Sequence, residues 1–160
     1  MLFVLRPPEW GSLIIMLLFL IPIALIDLKR HMIPNLLVFP GTAVLLLYKA
    51  LTDLPSVPVA LFHGALAFSI IFVFWLAARR KIGLGDAKLS FFLAAGAGFL
   101  EWWGMLLAAS LSALLAAGVL IALGKMKRAD QIPLAPFFFL GLVIVTVLKV
   151  VFINDIMILL

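Results

Sequence analysis

The sequence contains no cysteine and few charged residues. The absence of cysteine from all 160 residues excludes disulfide bonds, thiolate catalysis and zinc or iron–sulfur sites built on cysteine. Only 12% of the residues are charged. Hydrophobic residues make up 67%, whereas roughly half of the residues are hydrophobic in a soluble domain. The chain is therefore predicted to be an integral membrane protein. Its length leaves no room for a separate soluble domain, so residues 1–160 are expected to form a single transmembrane domain.

Six apolar segments divide the chain. A membrane-spanning helix needs ~20 apolar residues, so this length accommodates about six of them. The segments are Trp10 to Leu28, Leu36 to Leu51, Pro58 to Ala78, Asp86 to Trp103, Gly104 to Gly124, and Leu134 to Ile153. We predict an all-α, polytopic membrane protein with six transmembrane helices. The first segment is expected to be a retained span, because no small-residue cleavage site of a signal peptide follows it.

Basic residues are distributed unevenly among the predicted connections. Nine of the 12 Lys and Arg residues follow spans one, three and five: Lys29, Arg30, Arg79, Arg80, Lys81, Lys88, Lys125, Lys127 and Arg128. These residues fall on one side of the membrane if the spans alternate, and the positive-inside tendency makes that side cytoplasmic. Both termini are therefore expected on the outer side. The net charge of +5 is interpreted as this asymmetry and not as a nucleic-acid-binding surface.

Two aspartates are expected at the same depth. Asp27 ends the first span and Asp86 begins the fourth, so both fall at the cytoplasmic ends of their spans. Trp10 precedes Asp27 by 17 residues, and Trp103 follows Asp86 by 17 residues. On continuous helices each separation is ~26 Å. Because tryptophan favours the membrane–water interface, the spacing predicts that both carboxylates lie near the inner interface.

A pair of neighbouring carboxylates suits the chemistry of an aspartic protease. Two like charges at close range do not both ionise easily, so the pair shares a proton. One member then acts as a base toward water while the protonated member polarises the substrate carbonyl. The sequence leaves open which aspartate has which role. It also leaves the alternative that each is only a solvated interfacial charge, as Asp27 beside Lys29 and Arg30 would allow.

Residues around the aspartates are expected to shape this site. Gly83 and Gly85 let the backbone turn sharply and approach a substrate. Asp86 lies near a helix N-terminus, whose dipole favours negative charge. Lys88, two residues further on, points away from Asp86 and is expected to contact lipid headgroups or anchor the loop. Pro34 would end any continuation of the first helix and shape the loop that follows.

The polar residues near the aspartates include three that could ligate a metal. Asp27, Asp86 and His31 are dispersed in the sequence, without the tight spacing that is typical of metal ligands. No metal and no cofactor is therefore predicted.

Each aspartate belongs to a short motif. "DLKRHMIPN", from Asp27 to Asn35, has the form D-x5-I-P-N, and "GLGDAK", from Gly83 to Lys88, has the form G-x-G-D-x-K. Together the two motifs resemble the signature segments of type IV prepilin peptidases, which are GxGD-type intramembrane aspartic peptidases. The similarity extends over nearly the whole chain, including "IPLAPFFFLG" at 132–141. Ala135 stands there at a position where the family pattern leads us to expect glycine.

The resemblance implies an intramembrane aspartic endopeptidase in the plasma membrane of a prokaryote. Such an enzyme removes the basic leader from prepilin or pseudopilin precursors of type IV pilus and secretion systems, at the cytoplasmic face. Asp27 and Asp86 match the catalytic pair, and Ile33, Pro34 and Asn35 match the first motif. Longer family members also methylate the new terminus and carry paired C-x-x-C motifs. The chain resembles the short, peptidase-only forms that serve Flp-type pili or archaeal pilins and flagellins.

The expected partners are the precursor and membrane lipid. A basic leader would meet nine basic residues on the cytoplasmic side and, besides the catalytic pair, only Asp130. Electrostatic attraction therefore cannot dominate recognition, and we expect the apolar helix of the precursor to dock among the spans. Two other classes of function are left open: a small transporter coupled to protons or cations, and a non-catalytic membrane subunit of a pilus or secretion assembly.

Overall fold

The structure, a computed structural model, describes residues 10–77, 83–125 and 132–159. Within these residues the chain forms six α-helices and no β-strand. The helices are α1 (Trp10–Arg30), α2 (Asn35–Thr52), α3 (Ser56–Ala77), α4 (Leu84–Ala97), α5 (Phe99–Ala122) and α6 (Ala135–Leu159). The predicted all-α architecture with six helices is confirmed. The basic residues at 79–81 and 127–128, and Asp130, lie outside the described residues.

Within the described ranges, four helices are long and apolar enough to cross a membrane. These are α1, α2, α3 and α5, with mean hydropathies between 1.4 and 2.5. Helix α6 contains a further apolar stretch, Ala135–Val151. Large apolar side chains such as Ile14, Leu18 and Leu25 are exposed along α1, as expected for a helix with one face toward lipid. The chain is therefore a multi-pass membrane protein.

Helix α4 is short and lies at the centre of the bundle. Its 14 residues span ~21 Å, less than the ~30 Å of a bilayer's hydrocarbon core. It packs against α1, α2, α3 and α5, and most of its side chains are buried. At Gly64 of α3 the two helices approach so closely that an added Cβ would lie 3.0 Å from the carbonyl oxygen of Phe91. Neighbouring helices therefore surround the middle of α4, so a helix too short to cross the bilayer can lie within the protein without exposing its backbone to lipid.

The boundary between the fourth and fifth helices lies at Gly98, and the predicted boundary between Trp103 and Gly104 is wrong. Gly98 has φ 105°, in the left-handed region that favours glycine. It is preceded and followed by apolar residues, so hydropathy alone does not mark the break. The helix from Asp86 ends at Ala97, after ~17 Å. The assumption of one continuous helix from Asp86 to Trp103, on which the spacing of ~26 Å rested, is wrong for the same reason.

The two ends of the bundle hold different polar groups. We call the end that contains Asp27, Asn35, Asp86 and Ala135 the aspartate end. At the opposite end, which we call the cavity end, all six helices line a cavity of about 230 Å³. Its polar lining residues are Ser12, Lys49, Ser56, His63, Glu101, Thr146 and Lys149. On α6, the ~21 Å from Ala135 to Lys149 separates the two ends.

An apolar core lies between the two ends. Leu20, Phe92, Trp102 and Phe138 are fully buried there. The ring of Phe19 on α1 packs edge-on against the ring of Phe92 on α4, with centroids 6.4 Å apart. This packing holds α1 alongside α4, and it thereby determines how the last turn of α1 meets the first turn of α4.

Candidate active site

Asp27 lies in the last turn of α1 and is buried, with 4% of its surface exposed. Its Oδ2 accepts a hydrogen bond of 2.9 Å from the backbone N–H of Ala135, the first residue of α6. The backbone of Leu134 also interacts with this carboxylate. The first N–H groups of a helix have no partner within the helix, and the helix dipole favours negative charge at that end. The N-terminus of α6 is thus a built-in partner for a charged Asp27.

Asp86 lies in the first turn of α4 and is half-buried. Gly83, the N-cap, is extended, with φ −72° and ψ 131°. The N–H of Asp86 donates to the carbonyl oxygen of Gly83 over 3.1 Å, and the Asp86 carboxylate interacts with the backbone of Gly83. A carboxylate at the third helical position that reaches back to the N-cap satisfies an N–H group that the helix leaves free. Helix N-termini therefore face both aspartates, α4 at Asp86 and α6 at Asp27.

The structure brings Asp27 and Asp86 together at the aspartate end. The two carboxylates are close enough for the charge of Asp27 to act on Asp86. Among the residues that the structure describes, neither carboxylate forms an ion pair with a cation. His31, which is exposed and has φ 52°, interacts electrostatically with Asp27 without contacting it as an ion pair. Two neighbouring acids of this kind can share a proton, and such a pair can carry out acid–base chemistry.

The two motif segments contact one another directly. A Cβ added at Gly85 would lie only 2.8 Å from the Cβ of Ile33, so glycine is required for this close approach. Lys88 Nζ donates a hydrogen bond of 2.9 Å to Oδ1 of Asn35. The same ammonium lies 5.4 Å from the ring centroid of Phe39. Of the two contacts expected for Lys88, the structure shows the one with the loop, since Lys88 joins α4 to the start of α2.

Pro34 and Gly83 are the N-caps of two helices. Pro34 is the N-cap of α2, with φ −75° and ψ 121°, so it begins the second helix as well as ending the loop. Its carbonyl oxygen accepts the N–H groups of Leu37 and Val38. Gly83 is exposed, and a Cβ there would meet Asp86 Oδ2 at 3.4 Å, an ordinary contact. Close packing therefore requires glycine at position 85 and not at position 83.

Comparison with known protein families matches residues 14–153 to the type IV leader peptidase family. The chain belongs to this family. Its membership confirms the resemblance drawn from the two motifs, and it makes the protein a peptidase with prepilin-type substrates. The matched region contains both aspartates, the I-P-N segment and the start of α6. No curated protein and no solved structure matches the chain.

In this type IV leader peptidase, sequence reasoning missed two residues near the aspartates. The first is Ala135, noted only as a departure from an expected glycine, whose N–H reaches Asp27. The signal for it was present, because prolines at 133 and 136 before an apolar run indicate a helix N-terminus. The second is Ser90, which is fully buried on α4. A lone serine in an apolar segment gave no signal.

The metal alternative has no cluster to support it within the described part of the chain. No group of three His, Asp or Glu residues there is placed to hold a metal ion, so Asp27, Asp86 and His31 do not form one. What the aspartate end of this leader peptidase offers is two carboxylates, backbone N–H groups and an exposed histidine.

Proposed function

We propose that the protein is an aspartic endopeptidase that removes the leader from prepilin-type precursors, with Asp27 and Asp86 as the catalytic pair. The observation that carries this proposal is the meeting of two acids from different helices at one end of an apolar bundle, without an ion-pair partner among the described residues. Ionisable groups within membrane spans are costly. A pair of them that is not neutralised by cations is best explained by chemistry.

The proposed reaction uses the two carboxylates as a base and an acid. The ionised member takes a proton from water while the water oxygen attacks the carbonyl carbon of the scissile peptide bond. The protonated member hydrogen-bonds the carbonyl oxygen as a tetrahedral intermediate forms. Collapse of that intermediate breaks the C–N bond, and a proton passes to the leaving amine nitrogen. Backbone N–H groups at Ala135 and Gly83 hold the two side chains in place throughout.

The motif contacts support a positioning role for the remaining site residues. Ile33 and Gly85 set the distance between the α1–α2 connection and α4. The hydrogen bond from Lys88 to Asn35 ties the same two segments together. Asp27 lies just before the α1–α2 connection, and Asp86 lies within α4. These contacts therefore hold the two aspartates in position relative to each other. Pro34 and Gly83 contribute the N-caps that begin α2 and α4.

The proposed location of the reaction is the cytoplasmic face of a prokaryotic plasma membrane. The distribution of basic residues supports this side, because Lys29 and Arg30 adjoin Asp27. The substrate would present its basic leader on that side while its apolar helix docks in the bilayer. The chain would act as a peptidase without methyltransferase activity, since it has no cysteine from which C-x-x-C motifs could be built.

Leader removal from a co-expressed precursor tests the reaction. The mass of a prepilin-type precursor is compared for wild type, Asp27→Asn, Asp86→Asn and the control Asp53→Asn, an exposed acid in the turn between α2 and α3. We expect cleavage by wild type and by the control, and losses of about 10²- to 10⁴-fold in the other two. Full activity of either variant at 27 or 86 would refute the two-aspartate mechanism.

Two further measurements, of ion-driven uptake and of pilus assembly, separate the peptidase from the two other classes of function. A coupled transporter typically places its acids near the membrane midplane in broken helices, whereas Asp27 and Asp86 lie in terminal helical turns. If wild type cleaves no precursor but an ion gradient drives uptake that depends on Asp27 and Asp86, the transporter is correct. If neither activity is found and pilus assembly still requires the chain, the non-catalytic subunit is correct.

The absence of cysteine permits a direct test of sidedness. Lys29 is exposed at the aspartate end, in the last turn of α1, and Asp53 is exposed at the other end of the bundle, directly after α2. A single cysteine is placed at each position in turn, and intact cells are treated with a membrane-impermeant maleimide. We expect labelling at position 53 and none at position 29 until the membrane is opened. The reverse pattern would place the aspartate end outside and contradict cleavage at the cytoplasmic face.

A further inference from the structure

Ser90 is a buried hydroxyl without a hydrogen-bond partner. Its side chain is fully buried, with 0% exposed, and its Oγ has no partner among the residues that the structure describes. Four other helical hydroxyls each bond to the carbonyl oxygen four residues earlier: Thr42, Thr52, Ser69 and Ser112. For Ser90 that carbonyl belongs to Asp86, and the bond is not made. An unsatisfied buried hydroxyl is costly and uncommon, so it calls for an explanation in function.

The position of Ser90 relative to Asp86 supplies one. The two residues are four apart on α4, so they share one face of the helix and lie about 6 Å apart along it. Ser90 is on the side of Asp86 that leads into the bundle, away from the start of the helix. Its neighbours on α4, Ala87, Leu89 and Leu93, are fully buried apolar residues. From Leu89 to the end of α4, Ser90 is the only polar side chain.

A substrate peptide has groups that need such a hydroxyl. Cleavage requires the peptide to be extended at the scissile bond, which leaves its N–H and C=O groups without helical partners. Inside a membrane those groups must be satisfied by protein. An extended chain advances about 3.3 Å per residue, so a group about 6 Å from Asp86 falls about two residues past the cleavage point. That is the side on which the apolar helix of the precursor continues into the bilayer.

We infer that Ser90 is a substrate-binding residue whose hydroxyl hydrogen-bonds the substrate backbone about two residues beyond the scissile bond, on the side of the apolar helix. The inference rests on the proposed peptidase function. Ser90 is fully covered by protein in the substrate-free structure, so docking of the precursor's apolar helix must first part α4 from its neighbours. The substrate then supplies the partner that the hydroxyl lacks within the protein. Helix α4 thus makes two contributions to the same reaction, Asp86 at the scissile bond and Ser90 one helical turn deeper.

The first test replaces the hydroxyl and measures two properties. We expect Ser90→Ala to keep or raise the thermal stability of the purified protein, because an unsatisfied polar group is removed. We expect its kcat/KM for a prepilin-type precursor to fall about 10- to 100-fold, mainly through a higher KM, since a substrate group loses its partner. The control is Ser112→Ala, whose hydroxyl already bonds the carbonyl oxygens of Ala108 and Ala109 and whose loss should leave cleavage unchanged.

A matched pair of variants isolates the hydroxyl from its packing. Ser90→Thr and Ser90→Val have the same shape, but only the threonine retains a donor. We expect the threonine variant to cleave at least tenfold faster than the valine variant at equal protein levels. Equal cleavage by the two, or full activity of Ser90→Ala, overturns the inference.

The outcome for Ser90 is distinguishable from that for the proposed function. If Asp27→Asn and Asp86→Asn abolish cleavage while Ser90→Ala cleaves like wild type, the peptidase stands and the role of Ser90 is wrong. If wild type itself does not cleave, the proposed function fails, and the inference fails with it.

Discussion

The aspartate end and the cavity end of the bundle hold their ionisable groups in opposite ways. At the cavity end, Lys149 Nζ lies 2.7 Å from Glu101 Oε1, in an ion pair between α6 and α5. At the aspartate end, two acids meet, and no described cation is paired with either. Opposite charges that pair across helices need no further explanation than packing. Like charges brought together in an apolar bundle cost stability, and such groups are typical of functional sites.

The partners of the acids differ in kind as well. Glu101 is satisfied by a flexible side chain, whereas Asp27 is satisfied by the backbone N–H of Ala135. A backbone donor at a helix N-terminus is held in place by the whole helix and carries no full charge. It can therefore stabilise an anion without removing the charge that proton transfer requires.

Removing the backbone N–H of Ala135 should lower cleavage more than a change to any other contact around the two aspartates. Proline is tolerated at the first position of a helix, which is where Ala135 lies, so Ala135→Pro deletes the donor to Asp27 while α6 still forms. A hydrogen bond to a charged group contributes about 1.5–3 kcal/mol, so we expect cleavage to fall about 10- to 100-fold. Ala135→Val, which adds bulk but keeps the N–H, is the control. Equal activity of the proline and valine variants would show that the hydrogen bond is unimportant.

The two glycines of the G-x-G-D motif should differ in their tolerance of a side chain. Gly85→Ala places a Cβ 2.8 Å from the Cβ of Ile33, and overpacking of this kind costs about 1–3 kcal/mol. We expect it to lower cleavage about tenfold by shifting Asp86 away from Asp27. Gly83→Ala, with its nearest contact at 3.4 Å, should lower activity clearly less than Gly85→Ala, since it loses only the preference of an N-cap for glycine over alanine, about 0.5–1 kcal/mol. Similar losses in both variants would indicate that backbone freedom matters, and not close packing.

The contact between Lys88 and Asn35 should have a moderate effect. Their hydrogen bond of 2.9 Å is exposed, and exposed charged contacts contribute up to about 1 kcal/mol. We expect Lys88→Met and Asn35→Ala each to lower kcat/KM about two- to fivefold. Because both remove the same contact, the double variant should be no worse than either single variant. Fully additive losses would mean that the two residues act separately.

A matched lysine at the same end controls for charge. Lys29 is exposed in the last turn of α1, and Lys29→Met removes one positive charge without removing the bond to Asn35. We expect it to leave cleavage unchanged in the same assay.

Breaking the ion pair at the cavity end should change stability and leave the reaction intact. Glu101→Gln weakens the bond to Lys149, and interhelical contacts of this kind contribute about 0.6 kcal/mol on average. We expect Tm in detergent to fall by a few degrees while kcat/KM stays at the wild-type value. A loss of cleavage without a loss of stability would show that the cavity end takes part in the reaction. The ion pair would then not be a purely structural contact.

Local properties of the sequence determined the class and the outline of this protein. Its apolar composition and the spacing of its apolar segments predicted six helices in a membrane, because the bilayer imposes both length and hydrophobicity on a span. The motifs around Asp27 and Asp86 predicted the family, since each motif is a short run of neighbouring residues. These features depend on neighbouring residues, so they can be interpreted without a structure.

Only the tertiary structure decided what surrounds the aspartates. The bond from Ala135 to Asp27 joins residues 108 positions apart, and the bond from Lys88 to Asn35 joins residues 53 apart. The chain break at Gly98 and the unpartnered hydroxyl of Ser90 depend equally on how the helices pack. A linear pattern records which residues are present but not which of them meet. In a bundle whose helices are nearly all apolar, the meeting points are set by close packing at small residues such as Gly64 and Gly85.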